Sequence, residues 1–94
     1  MSNNSLLDES LFDSKNAVMK VIIGERMSWL RVNILKMTQP QLASALNMKH
    51  FQTISKYELG KCKPSMQRCN QLIKLAKTAG FETDHAWFRP DLFN

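Results

Sequence analysis

The stretch TQPQLASALNMKHFQTISKYELGK, Thr38 to Lys61, holds two short apolar patterns separated by a polar break. Thr38 followed three residues later by Gln41 is a capping box, in which hydroxyl and amide satisfy first-turn N–H groups that have no helical partner. Pro40 sits inside that turn, where its missing N–H costs nothing. Leu42, Ala43 and Leu46 then face inward, and the small Ala43 lets a second helix cross at close range. Asn47 tolerates the left-handed conformation that ends many helices, so the chain is expected to turn over Asn47–His50. A second helix is predicted from about Phe51 to Leu59, with Gly60 as its stop. Within it Ile54 and Tyr57 share one side, while Phe51, Gln52 and Lys56 fall on another. With its greasy side packed on the preceding helix, the second helix has an amide, an ammonium and a ring left to offer outward.

The flanking sequence is also helical. Ile23, Met27, Leu30 and Ile34 recur at i, i+4, i+7 and i+11, the stripe of an amphipathic helix over roughly 19–36. Pro64–Ser65 opens another helix with Ser65 as cap, and Met66, Cys69, Leu72, Ile73 and Ala76 supply its core stripe as far as Gly80. Asp84 caps a last short helix through HAWF, which Pro90 terminates. No strand signal and no internal repeat is present. The expected fold is all-α, a compact bundle of four or five helices. Three parts are expected: a flexible acidic arm over 1–14, with dimer packing as the alternative; a helical domain over 15–80; and an aromatic segment over 81–94. That last segment carries Phe81, Trp87, Phe88, Leu92 and Phe93. Some of this apolar surface is expected to close the core, and the rest is the candidate dimer contact.

Charge is unevenly distributed. Residues 1–14 hold Asp8, Glu9 and Asp13 with no base, a balance of −3. Residues 15–80 hold twelve of the thirteen Lys and Arg against Glu25 and Glu58, a balance of +10, and 81–94 carry −2. Such a domain favours a polyanion through counterion release and steering. A single domain of 94 residues leaves little room for a large catalytic cleft. It shows no carboxylate pair, nucleophile–base set, phosphate loop or metal spacing, so no enzyme, cofactor or metal is expected. Cys62 and Cys69 are expected to be reduced thiols, since His50 and His85 stand outside any ligand-type spacing with them. Neither a signal peptide nor a membrane-spanning run is legible, which fits a reducing cytoplasm.

With these elements in order, TQPQLASALNMKHFQTISKYELGKCKPS resembles the TQxxLAxxLGVSxxTISRYExGxxxPS signature of the phage repressor/Cro (XRE-type) helix-turn-helix proteins. IGERMSWLR upstream and QLIKLAKTAGF downstream look like that family's first and fourth helices, so the resemblance covers about residues 20–88. There are three departures. Asn47 stands where the family usually has Gly, the turn from Met48 to Ile54 is one residue longer than the usual spacing, and the link from Arg31 to Thr38 is also one residue longer. The longer turn leaves the groove-facing register of Phe51 and Gln52 open.

The resemblance implies a lambda-repressor-like bundle whose second motif helix enters the DNA major groove, which is wide enough for an α-helix. Gln52 is then the candidate reader of adenine, through a bidentate amide contact. Lys56 is expected to reach a guanine acceptor or a phosphate, Phe51 thymine methyl groups, and Thr53 base or backbone. The alternative is that Phe51 belongs to the core and Lys56 is merely solvated. In the family the residue matching Gln39 commonly bonds a phosphate, and Lys49, His50, Lys61 and Lys63 are the expected electrostatic flanks. Glu58 does not suit an anion-facing patch, and is read as structural, paired with Arg26 or Arg31. The implied function is a sequence-specific transcriptional repressor, cytoplasmic and nucleoid-associated, acting as a homodimer on a palindromic site in double-stranded DNA. The competing reading is an antitoxin, which would bind DNA through the same fold and a toxin partner through the arm or the aromatic tail.

Overall fold

Ile23, Met27 and Leu30 are buried along one side of a long first helix, α1 (Ser2–Trp29), and the rest of the fold is laid against that side. The computed structural model describes the backbone of residues 2–93 and the side chains of Lys15 to Phe93. Four further α-helices follow: α2 (Gln39–Ala45), α3 (Gln52–Glu58), α4 (Met66–Thr78) and α5 (His85–Phe88). No strand occurs among the described residues, so the expected all-α bundle is what forms. None of the described helices is long and apolar enough to cross a membrane.

Helical backbone begins at Ser2 rather than near residue 19, so the segment read as an arm continues α1. The side chains of 1–14, and with them the expected flexibility and dimer packing of that arm, lie outside the described residues. At the other end α1 leads directly into a π-helical segment, Leu30–Leu35, closed by Lys36 in the left-handed conformation at φ 54°. The link to Thr38, one residue long against the resembled pattern, is accommodated here, because a π turn takes i→i+5 bonds and so one residue more than an α turn. Lys36 N–H donates to the Arg31 carbonyl, and Met37 N–H reaches the same oxygen at 3.0 Å.

The core is one cluster. Leu42, Ala43 and Leu46 of the α2 region meet Ile54 and Tyr57 of α3 and Cys69, Leu72 and Ala76 of α4, with Phe88 of α5 closing it. Each large apolar side chain buried this way contributes about 1.5–3 kcal/mol. The predicted caps form: Ser65 Oγ accepts from Arg68 N–H at 3.1 Å, and Asp84 Oδ1 from Trp87 N–H at 2.9 Å. Met66, read as core, is instead exposed, because it sits in the first turn of α4 before that helix reaches the cluster. Burial pushes the Cys69 thiol and the Tyr57 phenol up from their ordinary values.

Gly24 decides how closely α1 and α3 approach. A Cβ there would lie 2.6 Å from the Tyr57 carbonyl oxygen and 2.7 Å from that of Glu58, both backbone atoms that cannot step aside. Gly24→Ala is therefore expected to cost about 1–3 kcal/mol in urea unfolding despite its better helix propensity.

The aromatic tail is largely consumed internally. Phe88 is buried, and Trp87 and Phe81 stack with Trp29 of α1 at centroid distances of 6.2 and 5.4 Å. Arg26 lies over the Trp87 ring and donates to its carbonyl at 2.8 Å. Leu92 and Phe93 are left exposed. The tail is latched by Asp91, which takes two bonds from Arg89, at 3.0 and 2.8 Å, and one from Lys63 Nζ at 3.0 Å. The Arg89 guanidinium, helped by Lys63, holds the Asp91 carboxyl well below the usual carboxylate range. A depressed folded value means that the latch's contribution to stability is fully present above about pH 4 and shrinks as the pH falls below it, while the carboxylate stays ionised in the folded chain well below that pH. Asp91→Asn should cost about 1–3 kcal/mol at neutral pH and flatten the acid limb of a stability-versus-pH curve.

Candidate nucleic-acid interface

The two-helix unit begins with the predicted capping box. Gln41 N–H donates to Thr38 Oγ1 at 3.2 Å, and Thr38 N–H to Gln41 Oε1 at 2.9 Å. α2 ends in a tight turn where Asn47 takes φ 57°, the left-handed geometry expected of it, and Met48 N–H returns to the Ala43 carbonyl at 2.8 Å. Arg68 of α4 donates to the Leu46 carbonyl at 3.1 Å and so braces the turn from behind. The connection runs over residues 46–51, which absorbs the extra residue. α3 starts at Gln52, one residue later than expected, with Phe51 as a cap that makes no side-chain hydrogen bond.

Ile54 and Tyr57 are buried against α2 and α1, which fixes the roll of α3 about its axis. Gln52, Lys56 and Leu59, spaced four and three apart, come to the opposite, exposed side. Phe51, 40% exposed, stands outside the core at the start of that side, and Thr53 is half-buried on its flank. Lys49 and His50 in the preceding turn and Lys61 in the following one are exposed, so three of the expected phosphate-contact residues flank α3 in solvent. Leu59, expected only as the end of the helix, is 65% exposed and joins that side. Its position seven residues after Gln52 was the available signal.

Two expected contact residues are occupied within the molecule. Lys63 is not left with its neighbours: its ammonium donates to Asn16 at 2.7 Å as well as to Asp91, which draws it to the tail latch. Gln39, at the first residue of α2, donates through Nε2 to Glu58 Oε1 at 3.1 Å and retains its second N–H and its carbonyl oxygen.

Glu58 is paired with Arg31, not Arg26. Arg31 Nε and Nη2 take its two oxygens at 2.7 and 3.0 Å in a bidentate pair, and Nη1 of the same guanidinium donates to the Met37 carbonyl at 2.9 Å. The bond to Glu58 raises the Arg31 guanidinium above its ordinary value. With 15% and 9% of the two side chains exposed, the pair is shielded enough for its geometry to matter. The acid that α3 itself carries is thus neutralised and turned inward. Glu58→Ala, which strands Arg31 and frees Gln39, is expected to cost about 3 kcal/mol by urea unfolding. Lys56→Ala should stay within about 0.5 kcal/mol of wild type.

Comparison with protein-family models, with curated proteins and with solved structures gave no match.

Proposed function

We propose that the chain is a sequence-specific double-stranded DNA-binding regulator, a repressor acting as a dimer on an inverted repeat, with the exposed side of α3 in the major groove. One observation carries the reading: Gln52, Lys56 and Phe51 share solvent while Ile54 and Tyr57 fix the helix from beneath. A rigidly seated helix presenting an amide and an ammonium suits base-edge readout, since the same groups on a mobile segment would lose contact energy to ordering. Lys49, His50 and Lys61 suit the phosphates on either side, and Gln39 suits a phosphate through its remaining N–H. Leu59 extends the apolar contact available to thymine methyl groups. Thr53 contacts base or backbone at the flank. A protein of this kind works in the cytoplasm, on the nucleoid.

Selection from a random DNA pool is expected to return an inverted repeat, and a pool without enrichment would overturn the reading. On the selected site, Gln52→Ala should relax preference at one base position by about 1–3 kcal/mol. Lys61→Ala should instead weaken all sequences alike and reduce the log–log salt slope by about 0.9. Equal losses on every DNA for the Gln52 change would remove it from base readout.

A further inference from the structure

α1 is apolar on two sides; one is spent on the core, and the other is used only at its Trp29 end, where Phe81 and Trp87 of the tail stack. Its inward side, with Ile23, Met27 and Leu30, is spent on the core. On the other side Val18 is 56%, Val21 50% and Trp29 45% exposed, with Ile22 half-buried between them. Spacings of three, four and seven residues put these four side chains along one stripe rather than scattering them. A soluble surface carries isolated apolar residues without consequence, but a continuous stripe on a rigid helix marks a contact surface. Two exposed charges belong to the same stripe: Lys15 before the valines, and Glu25 between Ile22 and Trp29.

We infer that this outer side of α1 is the surface on which a second copy of the chain docks, the two helices packing antiparallel about a two-fold axis that crosses the stripe at the level of position 20. The charge pattern selects both the occupant and the direction. Lys15 and Glu25 are ten residues apart, about 15 Å along a helix, and stand equally far on either side of position 20. An antiparallel pair centred there brings Lys15 of each copy opposite Glu25 of the other, twice over by symmetry, and Val18 opposite Ile22. A parallel pair would instead set Lys15 on Lys15 and Glu25 on Glu25, like charges at both levels. The surface is therefore complementary to itself in one orientation. Leu92 and Phe93 are not required. The inference names the surface for the dimer proposed above, but it stands on α1 alone and is read without DNA.

The test is sedimentation of the full-length chain in DNA-free buffer, with circular dichroism and thermal melting to confirm that each variant is folded. Wild type is expected to move from a species of 10.8 kDa to one of twice that mass as concentration rises. Lys15→Glu or Glu25→Lys alone should weaken the dimer roughly tenfold, since each turns two attractive contacts into two repulsive ones. Lys15→Glu with Glu25→Lys should restore it, and Val18→Asp with Val21→Asp should leave only monomer. A wild type that stays monomeric into the high micromolar range would overturn the inference and assign the stripe to a different protein. A dimer indifferent to both charge reversals, or one that the double reversal fails to rescue, would overturn it as well. Gln52→Ala and Lys61→Ala should dimerise as wild type does. A wild type that dimerises but selects no inverted repeat from the DNA pool would count against the DNA reading alone.

Discussion

The carboxylate of Glu58 ties together three parts of the chain that are far apart in sequence. It sits at the last turn of α3, receives the Arg31 guanidinium from the π-helical exit of α1 in a bidentate pair, and accepts Gln39 from the start of α2. Its backbone carbonyl lies where any side chain at Gly24 would have to go. Polar and steric constraints thus converge on one end of α3. With Ile54 and Tyr57 beneath it, the helix has one permitted roll, and that roll decides which side chains meet solvent. A charge pair at this level of burial gives little net stability against an apolar substitute, but it discriminates strongly between arrangements, because a mispaired guanidinium or carboxylate here is costly.

The fold puts its rigidity and its polarity in different places. The apolar cluster behind α3 is continuous from α1 to α5, and among the described residues no charged side chain is buried within it. Glu58 is held by Arg31 and Asp91 by Arg89 and Lys63, so these two carboxylates are neutralised within the molecule. Lys49, Lys56 and Lys61 keep their charge in solvent around a helix that cannot rotate. That separation fits the proposed DNA-binding role, in which long-range attraction and short-range positioning would come from different residues.

The unusual length of the α1-to-α2 link shows how an insertion can be tolerated without disturbing such a frame. One additional residue in an α-helical exit would rotate everything after it by about 100°. Taking up the residue as a π turn widens the helix locally, keeps Arg31 aimed at Glu58, and ends in the left-handed Lys36 that redirects the chain toward Thr38. The longer turn after α2 is absorbed differently, in an exposed loop, where Asn47 supplies the left-handed residue and Lys49 and His50 are carried outward. In the first case the insertion falls between the core contact of Leu30 and the Arg31–Glu58 pair on one side and the start of α2 on the other, and it is wound into helix. In the second it lies at the surface and can be looped out.

Much of this was legible from local chemistry. The Thr38–Gln41 box, Asn47, Ser65 and Asp84 are short-range signals satisfied within four residues, so the caps and turns could be placed without knowing the fold. The inward stripe of Ile23, Met27, Leu42, Leu46, Ile54 and Leu72 followed from periodicity alone, and with it the outward side holding Gln52 and Lys56. Tertiary structure decided what depends on long-range partners. It chose Arg31 over Arg26 for Glu58 and drew Lys63 to Asp91, 28 residues away. It absorbed most of the aromatic tail and left Met66 and Leu59 outside. Periodicity names the side of a helix on which a residue lies. Whether that side is covered, and by which charge, is settled only when distant segments arrive together.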